Sequence, residues 1–182
     1  MATPNAAQIY RASCRVAINP TDLATAWPHG GTGLGVCSQI RLMTGLDEER
    51  VRAEEFGNQA VDTVLRQGDL MVATLVRQWS DDALSTVFPN TTAGSAARVI
   101  NWPGASRSGT LMTGRAVKLL FTADRQTEHP SLIVYKAIPL VSIQAELRLT
   151  VLRELDVPII FLGVRDGSSR IASMGILSDL SL

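Results

Sequence analysis

The chain has 182 residues, with 17 basic and 17 acidic side chains and a formal net charge of zero; that length suits one well-buried domain, and the balanced charge supplies no long-range field of the kind that draws a protein to nucleic acid or an acidic membrane. No window approaches roughly 18 uninterrupted apolar residues, and residues 1–10 lack the apolar core of a secretion signal, so neither membrane spanning nor export is expected. The two cysteines, Cys14 and Cys37, have no Cys-x-x-Cys spacing and no histidine nearby, and read as buried thiols in a reducing compartment.

Residues 1–32 mix Pro, Ala, Asn and Thr with short apolar stretches and end in the turn-prone run Trp27-Pro28-His29-Gly30-Gly31, which reads as an N-terminal arm or irregular lead-in. Residues 33–182 are the expected domain. From Gly33 to Thr44 the sequence is strand-like, with Val36, Ile40 and Leu42 apolar, and it is expected to end at Gly45. Asp47 to Glu55 is charge-rich and is either a helical turn or a solvated edge. After Gly57, the run Ala60 to Leu65, the break at Gly68 and the run Leu70 to Trp79 suggest a hairpin.

One short helix is expected. Ser80 caps it, Asp81 and Asp82 stand in the first turn where the dipole favours acids, Leu84, Val87 and Phe88 share a face, and Pro89 stops it. Residues 90–114 are rich in Thr, Ala, Ser and Gly and read as a long central loop or a protruding hairpin. Strands are expected over Arg115 to Thr122, Leu132 to Leu140 and Val141 onwards. In the last, Val141, Ile143, Ala145, Leu147, Leu149 and Val151 alternate with Ser142, Gln144, Glu146, Arg148 and Thr150, the period of a half-buried strand. A helix over Ala145 to Leu155 competes, since Ala, Glu, Leu and Arg are good helix formers, but it would scatter those six apolar side chains around its circumference. Val157 to Val164 is apolar on both faces, Asp166-Gly167 turns, and a final strand follows near Arg170 to Leu177. The fold class expected is therefore mainly β, a sandwich or barrel with one short helix, an N-terminal arm and a long central loop.

No constellation in the sequence supports catalysis. His29 and His129 each neighbour a proline and have no second ligand at helical or hairpin spacing. There is no Gly-x-Ser-x-Gly elbow. Gly31-Thr32-Gly33-Leu34-Gly35 has the composition of a phosphate loop but lacks the preceding apolar strand and following helix, so a tight turn is expected. Asp81 and Asp82 are adjacent, point about 100° apart on a helix and serve as capping acids rather than an acid/base pair. No catalytic, cofactor-binding or metal-ligating residue is expected, no cofactor is expected, and the chain is read as non-enzymatic. Trp79 reads as core; Trp102, in a small and polar segment, and Tyr10, in the arm, are candidate contacts with a partner.

The order of features resembles that of bacteriophage tail tube (major tail) proteins and related virion structural proteins. The elements that carry it are the arm leading into Gly33-x-Gly35, Arg52-Ala-Glu-Glu-Phe-Gly57 followed by Val61-Asp62, Asp81-Asp-Ala-Leu84 running into Phe88-Pro-Asn90, His129-Pro-Ser-Leu-Ile-Val-Tyr-Lys-Ala-Ile-Pro139, Val157-Pro-Ile-Ile-Phe161 and the late Gly175. The Trp102 loop lies outside it. The resemblance implies a β-sandwich with a flanking helix that self-assembles as stacked hexameric rings, forming a tube through which DNA passes without specific binding. It implies as partners other copies of the chain, further tail, neck and baseplate proteins, and a sheath where the tail is contractile. The location implied is the virion tail, assembled in the host cytoplasm, with no membrane partner. A neck, tail-completion or baseplate adaptor of the same fold is the alternative, and a small ligand-binding or nucleic-acid-binding β domain is a lower one. In such a ring the polar set Ser142, Gln144, Glu146, Arg148 and Thr150 faces either the lumen or the outside of the sheet; both readings are open.

Overall fold

Strands whose apolar side chains recur every second residue must bury one face against something. In the computed structural model they bury it against one another. The structure describes residues 14–53, 59–76, 85, 87–88, 92–93, 100–101, 111–123, 129–140 and 157–182. In chain order these form β1 (Cys14–Ile18), β2 (Thr32–Ala53), β3 (Gln59–Val76), β4 (Thr92–Ala93), β5 (Ile100–Asn101), β6 (Val117–Ala123), β7 (Ser131–Leu140), β8 (Val157–Gly163) and β9 (Ala172–Gly175), with 3-10 turns at Met112–Arg115 and Leu177–Asp179. The mainly β expectation holds.

Seven strands make one antiparallel sheet in the order β6-β1-β2-β3-β8-β7-β9, and β6 also pairs with β7, so the first six close into a barrel. Closure leaves those six strands without an edge along their paired lengths. All six supply the interior: Val16 from β1, Leu34 from β2, Val72 from β3, Leu119 from β6, Val134 from β7 and Phe161 from β8 are fully buried in one cluster. A barrel this narrow is filled by its own side chains. Val87 and Phe88 join the cluster; Ser85 and Val87 have helical backbone and Phe88 is in a bend, and the other residues of the expected helix lie outside the described ones. A second cluster covers the outer face of β1, β6 and β7, where the C-terminal turn lays Leu177 over Ala17, Leu120, Ile133 and Tyr135, with Leu23, Leu180 and Leu182 around it.

Three local expectations change. Part of the segment read as an arm is β1, paired on both sides, to β2 and to β6. Asn19 pins its end: its N–H donates to the Lys118 carbonyl at 2.7 Å and its side-chain oxygen accepts from the Lys118 N–H at 2.9 Å. The strand expected to end at Gly45 runs on through the charge-rich stretch to Ala53, and β3 runs through Gly68, because Gly45 pairs with Asp69 and Leu46 with Gly68 in one continuous ladder. Ladder bonds on both glycines' neighbours override the weak strand preference of glycine itself. Finally, the glycine run divides. Gly30 and Gly31 belong to the turn, whereas Gly33 and Gly35 lie in β2: Gly33 lets the Trp27 indole rest on the strand where any side chain would collide with the ring, and Gly35, at φ 108°, accompanies a bulge between Val16 and Ala17. The turn between Asn19 and Gly31 is closed by the His29 carbonyl, which accepts from both Thr21 and Asp22 at 2.9 and 3.1 Å.

Candidate assembly surface

β2 and β3 outgrow the barrel. β1 accompanies β2 only as far as Cys37, and β8 accompanies β3 only from Leu70 to Val76. Beyond those limits residues 45–53 of β2 and 59–69 of β3 pair with each other alone among the described strands, giving a two-stranded ribbon roughly 30 Å long. Register shifts at Asp47/Glu48 and Val51/Arg52 sharpen its twist.

The root of the ribbon is apolar. Met43 opposes Met71, Met71 opposes Leu162 and Leu162 opposes Ile138, so four apolar side chains form a row across β2, β3, β8 and β7. Directly opposed residues share a face, and this face is the outside of the barrel, since Val72 and Phe161, one position along, are inside. Met43 and Met71 remain 43% and 36% exposed. Leu42, on the opposite face of the ribbon, is 45% exposed.

β9 is the other open place. It pairs with β7 along Ser131–Val134, continuing the side of β7 that β8 occupies from Ala137 onward, and has no second strand neighbour among the described residues. Met174 on it is 66% exposed. The excursion between β8 and β9 is tied off by Asp166, whose Oδ1 accepts from the N–H groups of Ser168 and Arg170 at 2.9 and 2.7 Å and whose Oδ2 accepts from Arg170 Nε at 3.0 Å. Arg170 in turn lies 3.8 Å over the Tyr135 ring, and the Tyr135 hydroxyl donates to Ser173 Oγ at 2.9 Å. An open groove of about 560 Å³ runs between Leu23, Ala24 and the C-terminal residues Ile176, Leu177 and Leu180.

Among the described residues no three of His, Cys, Asp and Glu stand where they would hold a metal ion, and no helix is long and apolar enough to cross a membrane. His29 is buried, at 1% exposure, with neither ring nitrogen hydrogen-bonded. Burial pushes the Cys37 thiol up to about 11, with the Thr74 hydroxyl beside it opposing the rise; that opposition is weak, because the hydroxyl makes no hydrogen bond of good geometry.

The candidate contacts Tyr10 and Trp102 and the polar set Ser142, Gln144, Glu146, Arg148 and Thr150 lie outside the described residues, as do Asp81 and Asp82. Sequence reasoning missed the ribbon, the most prominent surface feature among the described residues. The sequence marks Gly45 and Gly68 as breaks, whereas in the structure both glycines lie within continuous strands.

No family model matches the chain. No curated protein matches it either. Among solved structures, the tube-terminating cap of an anti-feeding prophage, determined by cryo-electron microscopy, aligns over 97% of this chain and 95% of that chain, with 10% sequence identity and a TM-score of 0.46.

Proposed function

We propose that the chain is a phage virion structural protein, the tail tube subunit, whose copies join side by side into rings that stack around a DNA passage. The observation that carries this reading is the ribbon. A two-stranded ribbon is at best marginally stable alone, and among the described residues this one has no strand beside either edge, leaving two rows of backbone donors and acceptors that invite another chain. Its root adds the half-exposed Met43 and Met71. Neighbouring copies meet both needs at once, by adding strands to the ribbon edges and covering the methionines. The ring and its six-fold count come from the sequence resemblance. On the same reading Tyr10 and Trp102 are contacts between subunits, and Ser142, Gln144, Glu146, Arg148 and Thr150 line the passage. Glu146 and Arg148 offset each other there, leaving the DNA little to grip.

The test is a shortened ribbon. Residues 47–67 are replaced by Asn-Gly, a two-residue turn suited to joining Leu46 to its partner Gly68. The wild-type protein is expected to form rings in negative stain and mass photometry as concentration rises, and the shortened protein to stay a folded monomer by circular dichroism. A wild-type chain that is monomeric at every concentration, or a shortened chain that still forms rings, would overturn the proposal. Stacking of rings into tubes marks the tube subunit, whereas a single ring that never stacks marks an adaptor.

A further inference from the structure

Cys14 and Cys37 stand directly opposite each other on β1 and β2. Opposed residues of an antiparallel pair have Cα atoms about 4.5 or 5.5 Å apart, inside the range of about 4.4–6.8 Å that a disulfide spans. Both side chains lie on the same face, in the barrel interior, each 4% exposed. Both are thiols. Each donates to a carbonyl of its own strand, Cys14 to Arg15 at 3.5 Å and Cys37 to Gly35 at 3.8 Å, so turning one sulfur toward the other breaks neither of the ladders that hold β1.

We propose that this pair is a latent cross-link, forming an intrachain disulfide that staples β1 to β2 when the protein meets a small-molecule disulfide. One cysteine loses its S–H proton to solvent and its thiolate attacks the small disulfide, giving a mixed disulfide and releasing one small thiol. The second cysteine loses its proton likewise, attacks the protein sulfur of the mixed disulfide and releases the second small thiol. Two electrons pass from the protein to the oxidant, which ends as two thiols. Since Cys37 is held as a thiol by burial, and since neither sulfur is exposed, the rate is set by transient opening of β1. The setting rests on the virion reading: a particle released from a reducing cytoplasm enters an oxidising medium. The bond itself does not rest on it, so failure to cross-link leaves the assembly proposal standing, and failure to assemble leaves this one standing.

Reduced full-length protein is incubated with oxidised glutathione, then denatured and treated with N-ethylmaleimide. The expected product is a monomer lighter by two hydrogen atoms that takes up no maleimide, yields one linked peptide pair joining Cys14 to Cys37, and unfolds at a higher urea concentration than the reduced chain. Cys37→Ser should carry one glutathione or one maleimide and show no such rise. Oxidation is repeated in urea just below the unfolding transition, where β1 opens often. If two maleimides are still taken up there, if only glutathione adducts or links between chains form, or if Cys37→Ser shows the same rise, the proposal is wrong.

Discussion

Asp166 closes the turn from Asp166 to Arg170 through one carboxylate. Desolvation nudges that carboxyl upward, but the Arg170 N–H, the Arg170 guanidinium and the Ser168 N–H outweigh it and hold the group below its ordinary 3.8. A lowered folded value means that the stabilisation is present in full above the unfolded value and is lost as the pH falls through the folded one. Asp166→Asn should therefore lower the urea midpoint at neutral pH by an amount that shrinks toward zero below pH about 4, measured against wild type across an acid series. Cys37 acts at the other end of the scale. Between its ordinary 9.0 and about 11 the unfolded chain gives up this proton first, so the wild type should lose stability across that window while Cys37→Ala does not. In the core, Phe161 is fully buried; Phe161→Ala should cost about 3–5 kcal/mol in urea unfolding, because a closed barrel has little room to collapse into the space left.

The elements divide by how they are covered. The C-terminal turn is a patch on the outer wall, and Leu177→Ala should cost about 2–3 kcal/mol by the same measurement, since it uncovers Leu120 and Ile133 as well as removing its own buried side chain. Strands such as β6 and β8 were legible from sequence because each is a short, mostly apolar run, as a strand buried on both faces requires. β1 was legible in principle: Cys14-Arg15-Val16 alternates buried, exposed, buried, and Asn19-Pro20 ends it. It was passed over because five residues between polar flanks look like any other part of an irregular lead-in. The ribbon was misjudged for a different reason. Gly45 and Gly68 looked like punctuation, yet a ladder between two long strands absorbs single glycines, and the chain reverses between Ala53 and Gln59 instead.

At the scale of the molecule, a ring of six strands joined to a ribbon that leaves it predicts two levels of protection. In the monomer, amide exchange should be slowest in β1, which has a strand on either side and supplies Val16 and Ala17 at full burial, and far faster in residues 45–53 and 59–69; concentration-dependent slowing in the latter alone would mark them as the joining surface, and its absence at concentrations where rings form would exclude them. Strands could be read from the sequence, but closure could not, because it depends on which distant strands pair, and no local pattern encodes that β6 returns to β1. The candidate surface was not legible, since what makes it a surface is that, among the described residues, neither β1 nor β8 lies beside the outer part of the hairpin. The position of β1 also sets a clock. Its pairing with β6 joins groups 107 residues apart, as in the Thr122 hydroxyl that donates to the Arg15 carbonyl. At translation speeds of about 5–20 residues per second, the first strand emerges from the ribosome and waits roughly 5–20 s for its second neighbour. Throughout that interval an open edge beside the long β2–β3 hairpin is exposed to every other nascent copy, so slowing synthesis between β1 and β6 should increase misassembly, whereas slowing it after β8 should not.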